Sequence, residues 1–213
     1  MCRRFQPQSL SEIVGQPQVH HLVKLAARPV QSCWLLEGPP GSGKTATAQA
    51  LAFDLGCHDE FSGLWQVSCT ELGVSAAQEL FRQTLRLRYG SPSGFKVLVM
   101  EELEWLSPQA QRFLKTALDP LCGFPPSTIV VATSNDASAI DRALLQRFRL
   151  LTYSNGKSFS RACRERLAQF WAKETSNEDL PYGWMNWGVG QGGFSMRLAL
   201  AAMELVLMQR VAA

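Results

Sequence analysis

The chain has 213 residues, 46% of them hydrophobic, enough for one large or two small domains around a real core. A net charge of +3 is too mild to identify a nucleic-acid binder, although 15 of the 21 basic residues are Arg, so charge permits DNA as a partner without requiring it. Cys2, Cys33, Cys57, Cys69, Cys122 and Cys163 form no C-x-x-C pair and lack zinc-ligand His spacing beyond Cys57-His58, and no apolar run reaches membrane-span length, which excludes a zinc framework and a spanning helix.

The start, Met1-Cys2-Arg3-Arg4-Phe5, leads into polar residues and Pro7 instead of the apolar core of a signal peptide. Several cysteines lie in apolar runs, as reduced thiols do. Together these features predict a soluble protein of a reducing, intracellular compartment, namely the cytoplasm. Ser9 to Gln16 reads as a loop and short turn, and the spacing of Val19, Leu22, Val23 and Ala26 predicts a helix over Pro17 to Ala27 that ends near Arg28-Pro29.

Cys33 to Glu37 is a short, mostly apolar run of the buried-strand kind. It feeds Gly38-Pro39-Pro40-Gly41-Ser42-Gly43-Lys44-Thr45, which fits the phosphate-loop pattern G-x-x-x-x-G-K-[ST] at every fixed position. Thr45 to Leu55 then reads as an Ala-rich helix stopped at Gly56. Strand, loop and helix in this order make a nucleotide site. The glycines let backbone N–H groups turn toward phosphate oxygens, the helix N-terminus adds its positive end, Lys44 reaches the β- and γ-phosphates, and Thr45 offers a hydroxyl to Mg²⁺.

Leu64 to Cys69 reads as a second strand and Ala76 to Arg88 as a second helix, apolar through Leu80, Phe81, Thr84, Leu85 and Leu87. Its Arg82, Arg86 and Arg88 are either a solvated face or phosphate contacts. Phe95 to Met100 is the most strand-like run of the chain and ends in Glu101-Glu102. A phosphate-loop enzyme needs such a strand to deliver one carboxylate to the Mg²⁺ shell, here Glu101, and one to the attacking water, here Glu102. The same two acids could instead complement the dipole of the helix that follows.

Ser107 as N-cap and Pro108 at the first helical position open that helix, which runs through Leu118 to Asp119-Pro120. Ser127 to Thr133 is a fourth strand, and Asn135 at its tip either sees the γ-phosphate or water or simply serves the turn. Ile140 to Phe148 reads as a short helix and Arg149 to Tyr153 as a fifth strand. Strand starts at 33, 64, 95, 128 and 149, alternating with helices, predict an α/β fold: a five-stranded parallel sheet with helices on both faces.

Beyond Ser154-Asn155-Gly156-Lys157 the chain reads as helix only, over Phe159 to Lys173 and Phe194 to Val211, the latter with Leu198, Ala201, Leu205 and Met208 on one stripe. The connector Tyr182 to Gly193 is rich in Trp and Gly; its indoles either cap a small core or face a partner or base. A boundary near residue 153 divides an α/β nucleotide-binding domain, 1–153, from a helical domain, 154–213.

These residues resemble the AAA+ ATPases and, among them, the clamp-loader subunits of DNA replication. Gly38 to Thr45 is similar to the Walker A motif, Glu101-Glu102 with Leu106-Ser107 and Phe113 to Pro120 to the clamp-loader Walker B and its helix, and Phe5-Gln6-Pro7 through Val14-Gly15-Gln16 to the adenine-side segment. On that resemblance Asn135 is sensor 1, Arg147 in Ala143-Leu144-Leu145-Gln146-Arg147-Phe148 the arginine finger, and Arg197 in Gly193 to Leu200 sensor 2, while residues 154–213 form the lid. Glu101 departs from the usual Asp by one methylene, so hydrolysis is expected to be slow. The resemblance implies ATP and Mg²⁺ as cofactors, other AAA+ subunits in a ring or arc, DNA, a protein partner such as a sliding clamp, and no membrane. Helicase loading, transposition, protein remodelling and a weakly hydrolysing nucleotide-gated scaffold are the alternatives.

Overall fold

Strands that must be buried on both faces carry continuous apolar runs, and the central three here do, over 33–36, 97–100 and 129–132. The computed structural model describes residues 5–82, 85, 91–121, 123–176, 179–190 and 193–211. Its strands are β1 (Ser32–Glu37), β2 (Leu64–Ser68), β3 (Lys96–Glu101), β4 (Thr128–Ser134) and β5 (Arg149–Thr152). They form one sheet in the order β2-β3-β4-β1-β5, with every neighbouring pair parallel. This is the expected five-stranded parallel architecture, with strand starts within one residue of the sequence reading.

Alternation along the strands sends side chains to two separate cores. Trp34, Leu36, Val97, Val99, Ile129 and Val131 meet Leu22 and Leu25 of α1 (His20–Ala27) and Ala48, Leu51 and Ala52 of α2 (Lys44–Asp54). Leu35, Leu98, Met100, Val130 and Ala132 face Leu80 and Phe81 of α3 (Val74–Arg82), Ala110 and Leu114 of α4 (Pro108–Ala117), and Leu144 of α5 (Arg142–Leu145). Of the small alanines of α2, Ala48, Ala50 and Ala52 are fully buried. The α4 start is as expected: Pro108 occupies the first turn and Ser107 Oγ accepts from the Ala110 N–H at 3.2 Å. The expected extension of α3 through Thr84, Arg86, Leu87 and Arg88 lies outside the described residues, as do Cys122 and the Gln191-Gly192 part of the connector.

A third core gathers Phe159, Cys163, Leu167 and Trp171 of α6 (Lys157–Glu174) with Phe194 and with Ala199 and Met203 of α7 (Met196–Val211). Phe5 joins it, its ring 5.0 Å from that of Phe170, so the N-terminal segment packs with the C-terminal helices. Trp187 of the connector meets Trp171 edge-on at 6.0 Å, the core-capping role. Two expectations are corrected. The region is not helix only, because β6 (Val189–Gly190) and β7 (Gly193–Phe194) form a small antiparallel hairpin. The apolar stripe read on α7 is not its covered face: Leu198 is 52%, Leu205 62% and Met208 64% exposed and Ala201 is half-buried, while Ala199 and Met203 are buried. The run from Leu198 to Met203 is apolar without interruption, so several stripes satisfy the helical period. Phe194 and Ser195, anchored just before the helix, fix its rotation. Among the described residues no helix is long and apolar enough to cross a membrane.

Candidate functional site

Strand order sets the site. Because β1 lies between β4 and β5, with β3 next along, the loop after β1 and the tips of β3 and β4 all open at the carboxyl edge of the sheet. The Gly38 N–H donates to the Ser134 carbonyl at 3.1 Å, which keeps the loop in step with β4 as it leaves β1. Gly43, at φ 95°, turns the loop into the first turn of α2, a conformation side chains other than glycine's adopt at a cost. Gly41, at φ 77°, is needed for a second reason: a Cβ there would lie 2.1 Å from Ser195 Oγ. The phosphate loop is therefore in contact with the start of α7, and the Met196 N–H donates to the Gly41 carbonyl at 3.4 Å.

Lys44 is only 8% exposed, and its ammonium donates to the carbonyls of Gly38 (2.6 Å) and Pro39 (3.0 Å) and to Asn135 Oδ1 (3.1 Å). Burial pulls its pKa down to about 8; Glu104 and Glu102 pull the other way and Arg197 adds to the fall. Ser42 Oγ in the same loop is buried and has no hydrogen-bond partner among the described residues.

At the end of β3, Glu101 is half-buried and its Oε1 accepts from Gln66 Nε2 of β2. Glu102 is in the left-handed region at φ 58°, which costs an L-residue about 1–2 kcal/mol and breaks the strand's alternation. Its backbone N–H donates to Thr133 Oγ1 at 3.3 Å, and its side chain is exposed.

Glu104 is the functional neighbour that sequence reading passed over. It sits on the 3₁₀ turn Leu103–Trp105, and its Oε1 accepts from both the backbone N–H (2.9 Å) and Nδ2 (3.2 Å) of Asn135. With Nδ2 given to Glu104, Asn135 can present only Oδ1 to Lys44, and it does. The signal was a third carboxylate in Glu101-Glu102-Leu103-Glu104. Gln16 was also missed as a brace: its buried Nε2 donates to the carbonyls of Ser42 (3.0 Å) and Ser154 (2.7 Å), joining the phosphate loop to the entry of α6.

One cavity of about 390 Å³ takes in Pro40 to Thr45, Glu101, Glu102, Asn135 and Arg197, with Glu104 and Gln16 behind its wall. Its other end is apolar, with Phe5, Pro7, Ile13, Val14, Phe159, Phe170 and Leu200 in its wall. Arg147 is not brought to it. That side chain lies two residues before β5, at the amino edge of the sheet, paired with Asp119 at the end of α4 (Nη2 to Oδ2, 2.7 Å). It borders a different cavity of about 380 Å³ with Gln31, Ser32, Cys33 and Arg149.

A phosphate loop between a central parallel strand and a helix, with carboxylates and an Asn at neighbouring strand tips, defines a phosphate-loop nucleotide-binding protein of AAA+ type. The chain belongs to the AAA family, the ATPase family associated with various cellular activities, whose profile matches residues 34–155. It is similar to the replication factor C small subunit of Thermoplasma volcanium, 28% identical over 158 residues that cover 68% of this chain and 47% of that protein. It is likewise similar to the DNA polymerase III subunit gamma of Buchnera aphidicola, 28% identical over 75% of this chain and 50% of that one. The chain thus spans about half the length of these relatives. In fold it resembles the Holliday junction branch migration motor RuvB of Thermotoga maritima, with a TM-score of 0.73 and 19% identity over 98% of this chain and 68% of that one.

Proposed function

We propose that this chain binds ATP with Mg²⁺ and hydrolyses it as one subunit of a ring or arc that works on DNA, in the manner of a clamp-loader subunit with a protein partner such as a sliding clamp. The observation that carries the reading is the separation of Arg147 from the cavity that gathers the phosphate loop, Glu101, Glu102, Asn135 and Arg197. A site with every part but its arginine finger, in a molecule that holds such an arginine on the opposite edge of the sheet, fits catalysis across a subunit interface.

The donor set suits a hard, six-coordinate cation. Thr45 and Glu101 supply a hydroxyl and a carboxylate beside the phosphate loop, and among the described residues no cluster of three or more His, Cys, Asp and Glu could hold a metal by protein ligands alone. Mg²⁺ is commonly held in this way, by one or two protein oxygens and the substrate's phosphates, and it neutralises charge on them. Lys44 exchanges its loop carbonyls for β- and γ-phosphate oxygens, and Glu102 orients and deprotonates water. Asn135, steadied by Glu104, reports the γ-phosphate. Arg197, one residue beyond the Met196 contact to Gly41, ties nucleotide to the lid. On this reading residues 1–153 are the nucleotide-binding domain and 154–213 the lid, with the base in the apolar end of the cavity.

A nucleotide-gated scaffold is the second reading, favoured by Glu101 standing where Asp is usual and by its tie to Gln66. Steady-state ATPase rates with and without primed or duplex DNA separate the two: DNA-stimulated turnover is expected, and tight ATP binding with near-zero turnover would favour the scaffold.

A further inference from the structure

A row of side-chain amides leads to Glu101 from the far side of the cavity. Gln6 Nε2 donates to Gln49 Oε1, Gln49 Nε2 donates to Gln66 Oε1 at 2.7 Å, and Gln66 Nε2 donates to Glu101 Oε1. Each amide gives with its nitrogen and receives with its oxygen, so the direction of the row is fixed by the one group at its end that can only accept, the carboxylate. The fold explains why these residues meet. Ser68 pairs with Glu101 in the sheet register, and Gln66, two residues earlier, faces the same side, toward α2. Gln49 lies one helical turn beyond Thr45 on α2.

We propose that Gln66 is a positioning residue for Glu101, and that Gln49 braces it, with Gln6 at the outer end, so that the row sets the spacing between the two elements bearing the Mg²⁺ ligands. This rests on the reading of the cavity as a Mg²⁺–nucleotide site. Glu101 is longer than Asp by one rotatable bond, and a side chain of that length must be ordered before it can ligand a cation. An amide bonded to Oε1 orders it while leaving Oε2 for the metal shell, the kind of outer partner on which metal affinity commonly depends. Gln49 does the same for Gln66, which is exposed on an edge strand and would otherwise sample other rotamers.

The test is a fluorescent-ATP titration of the full chain, in EDTA and over a range of Mg²⁺ concentrations. Gln66→Leu is expected to raise the half-saturating Mg²⁺ on the order of tenfold, with affinity in EDTA unchanged, because the phosphate loop is untouched. Gln49→Leu, on a different element, is expected to shift it in the same direction by about threefold. In a Glu101→Asp background, where the shorter carboxylate falls back from the amide, Gln66→Leu should add nothing further. An unchanged Mg²⁺ requirement in both Leu variants, or equal shifts of Gln66→Leu in the wild-type and Glu101→Asp backgrounds, overturns the positioning role while ATP binding itself stands. A wild-type chain that binds no nucleotide overturns the role together with the site reading beneath it.

Discussion

The two edges of the sheet are built to opposite ends. At the carboxyl edge Lys44, Glu101, Glu102 and Asn135 line one cavity, and hydrogen bonds run from the Lys44 ammonium through Asn135 to Glu104 behind it. At the amino edge Arg147 is paired, among the described residues, with Asp119, in an ion pair at 35% and 21% side-chain exposure. A pair so exposed contributes little to stability, about 0–1 kcal/mol, so it is easily exchanged for another anion. The contrast teaches that one edge gathers its polar groups around a cavity while the other holds its arginine in a single exposed ion pair.

Breaking either edge should silence the protein for opposite reasons. Lys44→Ala is expected to abolish ATP binding. Arg147→Ala is expected to bind ATP normally yet hydrolyse it on the order of a thousandfold more slowly. Mixed, the two variants should recover activity with a maximum at intermediate composition, because some interfaces then pair an intact loop with an intact arginine. ATPase rate against mixing ratio measures this; a flat line in a mixture that co-assembles by light scattering, or wild-type turnover of Arg147→Ala alone, would sink the division between the edges.

Within the carboxyl edge, Glu102→Gln should keep ATP binding and lose turnover by about a hundredfold or more, the range for a general base. Equal loss of binding and turnover would mean that Glu102 holds the ground state and not the water.

Much of this contrast was legible in the sequence. The phosphate loop was, because Gly, Lys and Thr at fixed spacing have few other uses. So were β3 and its acids, where an apolar run meets two charges. Glu104, Gln16 and Gln66 were not, since each acts on a partner between 26 and 138 positions away and looks locally like a surface residue. Arg147 was singled out by resemblance alone, and its hold on Asp119, 28 residues distant, had no local signal. The hairpin of β6 and β7 is two residues a side, shorter than any periodicity can register. On α7 the signal was present and ambiguous, because apolar residues recur on every side of the helix and do not say which face is covered.

A third expectation concerns pH. Lys44 titrates at about 8, below its usual value, so its ammonium is lost as pH rises through that point. ATP affinity should therefore fall above pH 8, by up to about tenfold per pH unit until the bound-state value is reached. Stability moves the other way: the unfolded chain holds more protons than the native one between about 8 and 10.5, so the cost of burying the charge is relieved as pH rises across that window. Glu104→Gln removes the largest influence holding the Lys44 value up, and should move the fall in affinity to lower pH. A binding profile flat from pH 7 to 9.5, or unmoved by Glu104→Gln, would count against the buried ammonium as the titrating group.

The smallest effect is expected at Arg82, and it asks whether the amino edge does more than lend an arginine. Arg82 ends α3, close to Leu85, whose carbonyl accepts from Lys96 Nζ at 2.6 Å where β3 begins, so it lies toward the same edge as Arg147. It is exposed, with its guanidinium 5.7 Å from the centre of the Phe113 ring. A cation over an aromatic face is held in direction without being neutralised, and this leaves its charge for a phosphate. If the edge tracks a DNA backbone, Arg82→Ala should weaken binding equally for unrelated sequences and lower the slope of log affinity against log salt by about 0.9, one phosphate contact on a duplex. The companion Arg86 lies outside the described residues, so Arg82 alone carries the test. Fluorescence anisotropy with two duplexes of different sequence, from low to moderate salt, reads both quantities. An unchanged slope would return Arg82 to a solvated helix face that packs on Phe113 and meets no DNA.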